Sequence, residues 1–349
     1  MIRKKPTIEL RTSPHAHAGD DVVRIMRNVV YALAPICAFT VWQFGLSALA
    51  LILVVTATCL GSERLFNRLS GQPSSIGDWS AVITGLLLAL TLPPGFPLWM
   101  GMVAGFVGIA MGKALFGGLG MNAMNPALIG RAFVQAAFPV AITTWTPALF
   151  EGRFTQFVPT TLTPPFLQPP AIADWVSTVK VDAFSGATPL AMQKFEGIQA
   201  DLMDLLLGTT AGSAGETSAL LILLCGLYLA FRRMLDWRIP VMVMVGAAGT
   251  SGIFYLIDPA QYPDPLFVLC SGGLMLGAWF MASDMVGSPV TPLGVIIYAL
   301  LIGVLTVVIR LFGGLTEGVM YAILLGNAAT PLIDQLTQPR VFGAQRAGK

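Results

Sequence analysis

Apolar residues in this chain gather into ten runs: 29–45, 46–61, 79–92, 97–112, 126–144, 217–231, 239–257, 266–282, 292–309 and 318–336. Runs of this length and composition read as membrane-spanning helices. Several fall short of the roughly 20 residues that cross a bilayer squarely, so broken or partly re-entrant helices are expected. Irregular backbone at that depth is tolerated only where protein or a cavity covers it. One long hydrophilic connection, 145–216, separates five runs from five. Its first part is rich in Pro and Thr (TPALFEGRFTQFVPTTLTPPFLQPP), a composition that favours extended or coil structure. Residues 189–207 (PLAMQKFEGIQADLMDLLL) change periodicity and predict one or two amphipathic helices at the membrane surface.

The two sets of five resemble each other. LFGG occurs at 115–118 and again at 311–314, and FPLW at 96–99 matches TPLG at 291–294 at nearly the same offset. ITGLLLALTLPP (83–94) is loosely similar to SGGLMLGAWFMASD (271–284). Runs three to five therefore correspond to runs eight to ten, and because run three points outward and run eight inward, the repeat is inverted. The expected fold is an all-α polytopic membrane protein of about ten transmembrane helices, arranged as a 5+5 inverted repeat with broken helices. Such repeats place ligand sites near their interface, beside interrupted helices.

Composition strengthens this picture. Of 349 residues, 55% are hydrophobic and 11% charged, against about 25% charged in soluble domains. Mean hydropathy is +0.75. A net charge of +2 gives no reason to expect a nucleic-acid partner. Lys and Arg set orientation. With the N-terminus inside, 15 of them fall on the cytoplasmic side and four (Arg153, Lys180, Lys194, Arg310) on the outer side, with Arg131 inside a run. The expected organisation is a cytoplasmic tail 1–28, a first membrane half 29–144, an outer loop 145–216, a second half 217–336 and a cytoplasmic tail 337–349. The N-terminal stretch is too long and polar for a usual signal peptide. Cys37, Cys59, Cys225 and Cys270 each stand alone in apolar surroundings, so no disulfide or metal framework is expected.

Few residues could carry chemistry. Asp182-Ala-Phe-Ser185-Gly186-Ala187-Thr188-Pro189 lies in the long loop. Ser185 or Thr188 could cap a helix that starts at Pro189. The same small residues also leave the Thr188 hydroxyl open to a modifying enzyme. GLGMNAMNPALIGRAF places Gly117, Gly118 and Gly120 at a tight turn, then Asn122 and Asn125 ahead of Pro126. The asparagine amides suit either a capped re-entry turn or the polar edge of a ring such as isoalloxazine. Arg131, inside a run, either snorkels to the nearer surface or serves a site. Asp284 ends run eight, where it either lines a cation path or caps a break. His15 and His17 lack companion ligands, and the scattered methionines read as packing.

At this point the chain resembles a known family. Asp-x-x-Ser/Thr-Gly-Ala-Thr is the acceptor pattern of flavin transferases, which ester-link FMN to the final Thr. TSPHAH (12–17), LFGGLGMNAMNPALIGRAF (115–133), SGATPL, FMASD (280–284) and LIDQLTQPRVFG (332–343) together look like the D subunits of Rnf-type ion-translocating electron transport complexes. Their relative in the sodium-pumping NADH:quinone oxidoreductase, its B subunit, usually has a longer N-terminal extension. The resemblance implies FMN bound covalently to Thr188, with Asp182, Ser185, Gly186 and Ala187 completing the transferase motif. It further implies a non-covalent riboflavin on the cytoplasmic half, for which Gly120, Asn122, Asn125 and Arg131 are the candidate wall, with Asp284 on a candidate ion path. A bacterial inner-membrane location, neighbouring subunits including a second flavin-bearing one, and a flavin transferase follow from it. One departure stands out: the family often has Pro after the Asp of FMA(S/T)D, whereas Met285 follows here, which puts the local helix break in doubt.

The implied activity is electron transfer between NADH and ferredoxin, or a similar carrier, coupled to Na⁺ or H⁺ translocation. A secondary transporter or channel built on the same inverted repeat is the alternative, and a structural scaffold for redox partners is a third reading. Flavin content separates them.

Overall fold

The computed structural model describes residues 21–71, 75–170, 172, 175, 188–216, 218–259 and 261–339, which form helices and turns without a strand. The first half contains α1 (Val22–Phe44), α2 (Leu46–Leu69), α3 (Ser80–Thr91), α4 (Leu98–Gly112), α5 (Pro126–Ala137) and the short α6 (Pro139–Ile142). The long connection carries α7 (Pro189–Glu196) and α8 (Leu202–Leu207). The second half contains α9 (Ala219–Phe231), α10 (Arg238–Ile257), α11 (Pro265–Cys270), α12 (Leu274–Leu276), α13 (Pro292–Phe312) and α14 (Val319–Thr337).

Each apolar run is thus a helix or a pair of helices. Among the described residues, α1, α2, α4 with its following turn, α10 and α13 are long and apolar enough to cross a bilayer, and α3 and α9 are shorter apolar helices. Large apolar side chains such as Leu53, Ile253 and Val304 stand exposed on the long helices. That surface would promote aggregation in water, and it suits lipid. The chain is a polytopic membrane protein.

The boundaries shift where charge is interleaved. Helix α1 starts at Val22, ahead of the apolar run at 29, taking in Arg24 and Arg27, and α2 continues past residue 61 to include Glu63, Arg64 and Arg68. A cap-then-proline pattern begins three helices. Asn125, Thr188 and Thr291 each accept a backbone N–H of the first turn, and each is followed by Pro at the first helical position, where its missing N–H costs nothing. The run 126–144 divides at Phe138, ahead of Pro139. The run 266–282 breaks at Ser271–Gly273 and ends in a wide π turn, Gly277–Met281.

Packing repeats between the halves. Helix α2 lies against α3 and α4, and α4 against α5, while α10 lies against α11 and α13, and α13 against α14. At the α10–α13 crossing the backbones nearly touch: a Cβ on Gly303 would come 2.3 Å from the Val243 carbonyl oxygen. Small residues permit such approach in membrane helices. A basic residue two positions ahead of the first LFGG copy and one ahead of the second anchors a corner of each half. Lys113, ending α4, bonds Ser80 at the start of α3, whereas Arg310, near the end of α13, donates to Val268 and Ser271 at the break of the corresponding broken helix. The first corner lies at the start of α3 and the second, through Ser271–Gly273, Glu216 and Gly215, at its end; the two ends are called here the Asn122 face and the Thr188 face.

The long connection closes the Thr188 face. Gly208 and Thr210 accept from Gln43 at the end of α1, and Ala214 and Gly215 donate to Leu92 and Leu90 at the end of α3. Leu46 donates to Arg153 and Leu98 to Thr161. Otherwise unpaired helix-end groups thereby find partners.

Candidate functional site

Among the described residues, a cluster of polar side chains borders a cavity at each face. At the first, Thr188 is the N-cap of α7, its Oγ1 accepting from the Ala191 N–H at 3.2 Å, and the residue is 8% exposed. The opposite end of α7 is clamped. Lys194 Nζ donates to the carbonyls of Arg310, Gly313 and Leu315 at 2.8, 2.6 and 3.1 Å, the negative end of α13. Partial burial lowers the affinity of this amine for its proton.

Beneath Thr188 lies a cavity of ≈ 20 Å³ whose wall includes Leu190, Ser213, Glu216, Gly272 and Glu317. Arg131 reaches into this region from α5. Its Nη1 lies 3.0 Å from Glu216 Oε1 and its Nη2 lies 2.6 Å from Glu317 Oε2. Glu317 Oε1 also accepts from the Gly273 N–H at 3.1 Å. The break in the helix is built around these acids. A Cβ on Gly273 would sit 2.4 Å from Glu216 Oε1, and one on Gly272 would sit 2.9 Å from Glu317 Oε1. Gly272 in addition has φ +61°, which only glycine adopts without strain.

The second cluster lines a cavity of ≈ 110 Å³ at the Asn122 face, with Asn122, Asn125, Lys113, Asp284, Trp279 and Phe280 among its walls. Left-handed backbone at Gly117, Gly118 and Gly120 turns the chain into it. Asn125 is committed to structure: Oδ1 accepts from Ala127 and Leu128, and Nδ2 donates to the Met281 carbonyl. Asn122 makes only long bonds, 3.3 Å to the Met124 carbonyl and 3.4 Å to Asp284 Oδ2, and can turn to a ligand. The Trp279 indole N–H is buried and makes no hydrogen bond. Asp284 Oδ1 accepts from Val286 at 3.2 Å, so it caps the turn after the π segment. That segment ends at Met281, four residues before Met285, and the helix stops there without the proline of the family pattern. Beside this cavity Lys113 Nζ pairs with Glu63 Oε1 at 2.6 Å.

These placements divide the residues singled out from sequence. Asn122, Asn125 and Asp284 share one cavity. Gly120 is exposed on the turn and is not among that cavity's walls. Arg131 does not join the asparagines. The side chain neither snorkels nor faces them, because two carboxylates at the Thr188 face, Glu216 and Glu317, hold it, and it is 4% exposed. Asp182, Ser185, Gly186, Ala187, His15 and His17 lie outside the described residues. The four cysteines are free thiols, and among the described residues no cluster of His, Cys, Asp and Glu could hold a metal. Sequence reasoning missed Glu216, Glu317, Glu63 and the burial of Lys113 and Arg310. The signal available was weak: single charges, several beside glycine, at the very ends of apolar runs.

Comparison with known proteins adds a second line of evidence. The sequence pattern of the NQR2, RnfD, RnfE family matches residues 9–343. The chain is 40% identical to the D subunit of the proton-translocating ferredoxin:NAD(+) oxidoreductase complex of Clostridium ljungdahlii, covering 98% of each chain. It is 39% identical to the D subunit of the Na(+)-translocating ferredoxin:NAD(+) oxidoreductase complex of Acetobacterium woodii, over 98% of this chain and 97% of that one. It is 37% identical to the D subunit of the ion-translocating oxidoreductase complex of Halorhodospira halophila, over 97% of each.

Proposed function

The chain belongs to the NQR2, RnfD, RnfE family, and from that premise we propose that it is the D subunit of an Rnf-type complex, carrying FMN esterified to Thr188. The complex couples electron transfer between NADH and ferredoxin, or a similar carrier, to movement of Na⁺ or H⁺, in keeping with the names of its relatives. The chain sits in a bacterial inner membrane with both termini cytoplasmic and Thr188 on the outer side, where a second flavin-bearing subunit exchanges electrons with it. A flavin transferase matures it.

The observation that carries the reading is the chemistry open to Thr188 as the last residue of Asp182-x-x-Ser-Gly-Ala-Thr. Its Oγ1 accepts from Ala191 through a lone pair, a bond that survives exchange of the hydroxyl proton for an O–P bond. The ester phosphate would then lie at the positive end of α7, which favours an anion. Lys194 fixes the far end of the same helix, which holds the attachment point in place. A bound flavin supplies one- and two-electron chemistry, and the protein supplies position and exclusion of water. The cavity at the Asn122 face is the candidate seat of a second, non-covalent flavin. Asn122 and the unpartnered Trp279 N–H offer hydrogen bonds, and Phe280 offers an aromatic wall. Asp284 stands at that cavity's rim as a candidate for the ion path.

The test is flavin fluorescence from the denatured protein on a gel, after expression with the transferase. Signal in wild type and none in Thr188→Val supports the reading. Absence from the wild type under those conditions rejects it and leaves the transporter reading ahead.

A further inference from the structure

Glu216 is buried and Glu317 largely so, their side chains 3% and 16% exposed, and both bond the one guanidinium of Arg131 while lying against the adjacent glycines Gly273 and Gly272. A second arginine, Arg310, stands close by but spends its Nη donors on the Val268 and Ser271 carbonyls at 2.8 and 3.0 Å. The cavity in front of the acids, at ≈ 20 Å³, exceeds the roughly 10–15 Å³ that one water needs. Ser213 Oγ, 1% exposed, lines this cavity within reach of Glu216. Thr188 forms another part of the same wall.

We infer that Glu216 and Glu317 form a proton-binding site, holding one proton between their carboxyls when the Thr188 hydroxyl carries a phosphoester. This rests on the FMN reading above. The proton comes from hydronium at the Thr188 face. An O–H bond forms to one carboxylate oxygen, the hydronium O–H breaks, and water remains in the cavity with Ser213 Oγ as its partner. One guanidinium offers each acid a single bond, and Arg310 adds a second positive charge beside Glu317; a shared proton relieves the repulsion that remains between the two carboxylates. A phosphodiester on the same wall adds one more negative charge and strengthens proton binding further. The charged and titratable groups facing the pair are Arg131 from α5, Arg310 from α13, Tyr321 from α14 near Arg131, and Cys270 from α11. Lys194 of α7 is directed instead to the carbonyls closing α13. Charge on the cofactor and proton occupancy of the pair are therefore linked, and the link acts at the helix break Ser271–Gly273.

The experiment compares infrared spectra of the wild-type complex expressed with and without the flavin transferase, titrated with pH and read at the C=O stretch of a buried protonated carboxyl. The expected result is a band whose midpoint lies at least about one pH unit higher in the flavinylated protein and which disappears in E216Q/E317Q. A band with the same midpoint in both preparations, or one that survives E216Q/E317Q, overturns the inference. Mass spectrometry of the same samples separates the two failures. FMN on Thr188 with an unmoved band rejects the proton site alone, whereas a matured protein without FMN rejects the flavin reading itself. Wild type with and without transferase is one sequence, so the comparison survives if the double variant does not fold.

Discussion

Arg131 shows how a single residue joins the two halves. It sits on α5 of the first half and bonds Glu216 just ahead of α9 and Glu317 just ahead of α14. Removing the guanidinium leaves Glu216, buried, and Glu317, largely buried, without their bonded cation, and breaking a buried pair such as Arg131–Glu216 costs about 3–5 kcal/mol. Arg131→Met is therefore expected to lower the unfolding midpoint of the detergent-solubilised protein sharply, whereas R131M/E216Q/E317Q is expected to recover most of that loss. A triple variant no more stable than R131M would show that the charges are not what couples the three residues. Thr188 separates capping from chemistry in a similar way. Asn caps a helix as well as Thr does but has no hydroxyl. Thr188→Asn should lose the flavin and keep α7, while Thr188→Val should lose the flavin and in addition about 1 kcal/mol of capping. Flavin retained in either variant would place the attachment elsewhere.

At the scale of elements, the broken helix α11–α12 depends on what fills the space beside it. Gly273 has ordinary helical-side φ, so its replacement is a question of room alone. The Cβ of Gly273→Ala meets Glu216 Oε1, and the carboxylate cannot swing aside without losing Arg131. The expected cost is about 1–3 kcal/mol, read as a lower thermal midpoint, and an unchanged midpoint would mean that the carboxyl is not held. The surface helix α7 has its own anchor. Lys194→Met leaves three carbonyls at the end of α13 without their donor. It is expected to raise protease sensitivity between α7 and α8 more than it lowers global stability. The reverse order of effects would show that Lys194 serves the bundle rather than α7.

Across the whole molecule, much of the fold was legible because hydrophobicity is a local signal: every apolar run became a helix or a broken pair. The breaks in the runs at 126–144 and 266–282 were marked by Pro139 and by Ser271-Gly-Gly. The LFGG repeat pointed to paired architecture, and the helix pairs pack alike in both halves. The ion pairs were not legible. Arg131 lies 85 residues from Glu216 and 186 from Glu317, and no local pattern links such positions. Lys113 and Arg310, counted as loop charges when orientation was read, are instead 4% and 6% exposed and bonded within the bundle. They say less about orientation than the basic residues of the tails.

The central claim concerns one covalent bond, and it is read most directly by mass spectrometry. Trypsin releases residues 181–194, between Lys180 and Lys194, with Thr188 inside. From material matured with the transferase, that peptide should weigh more than its sequence by one FMN less one water, with fragment ions placing the addition on Thr188. An unmodified peptide, or an addition on Ser185, would contradict the account.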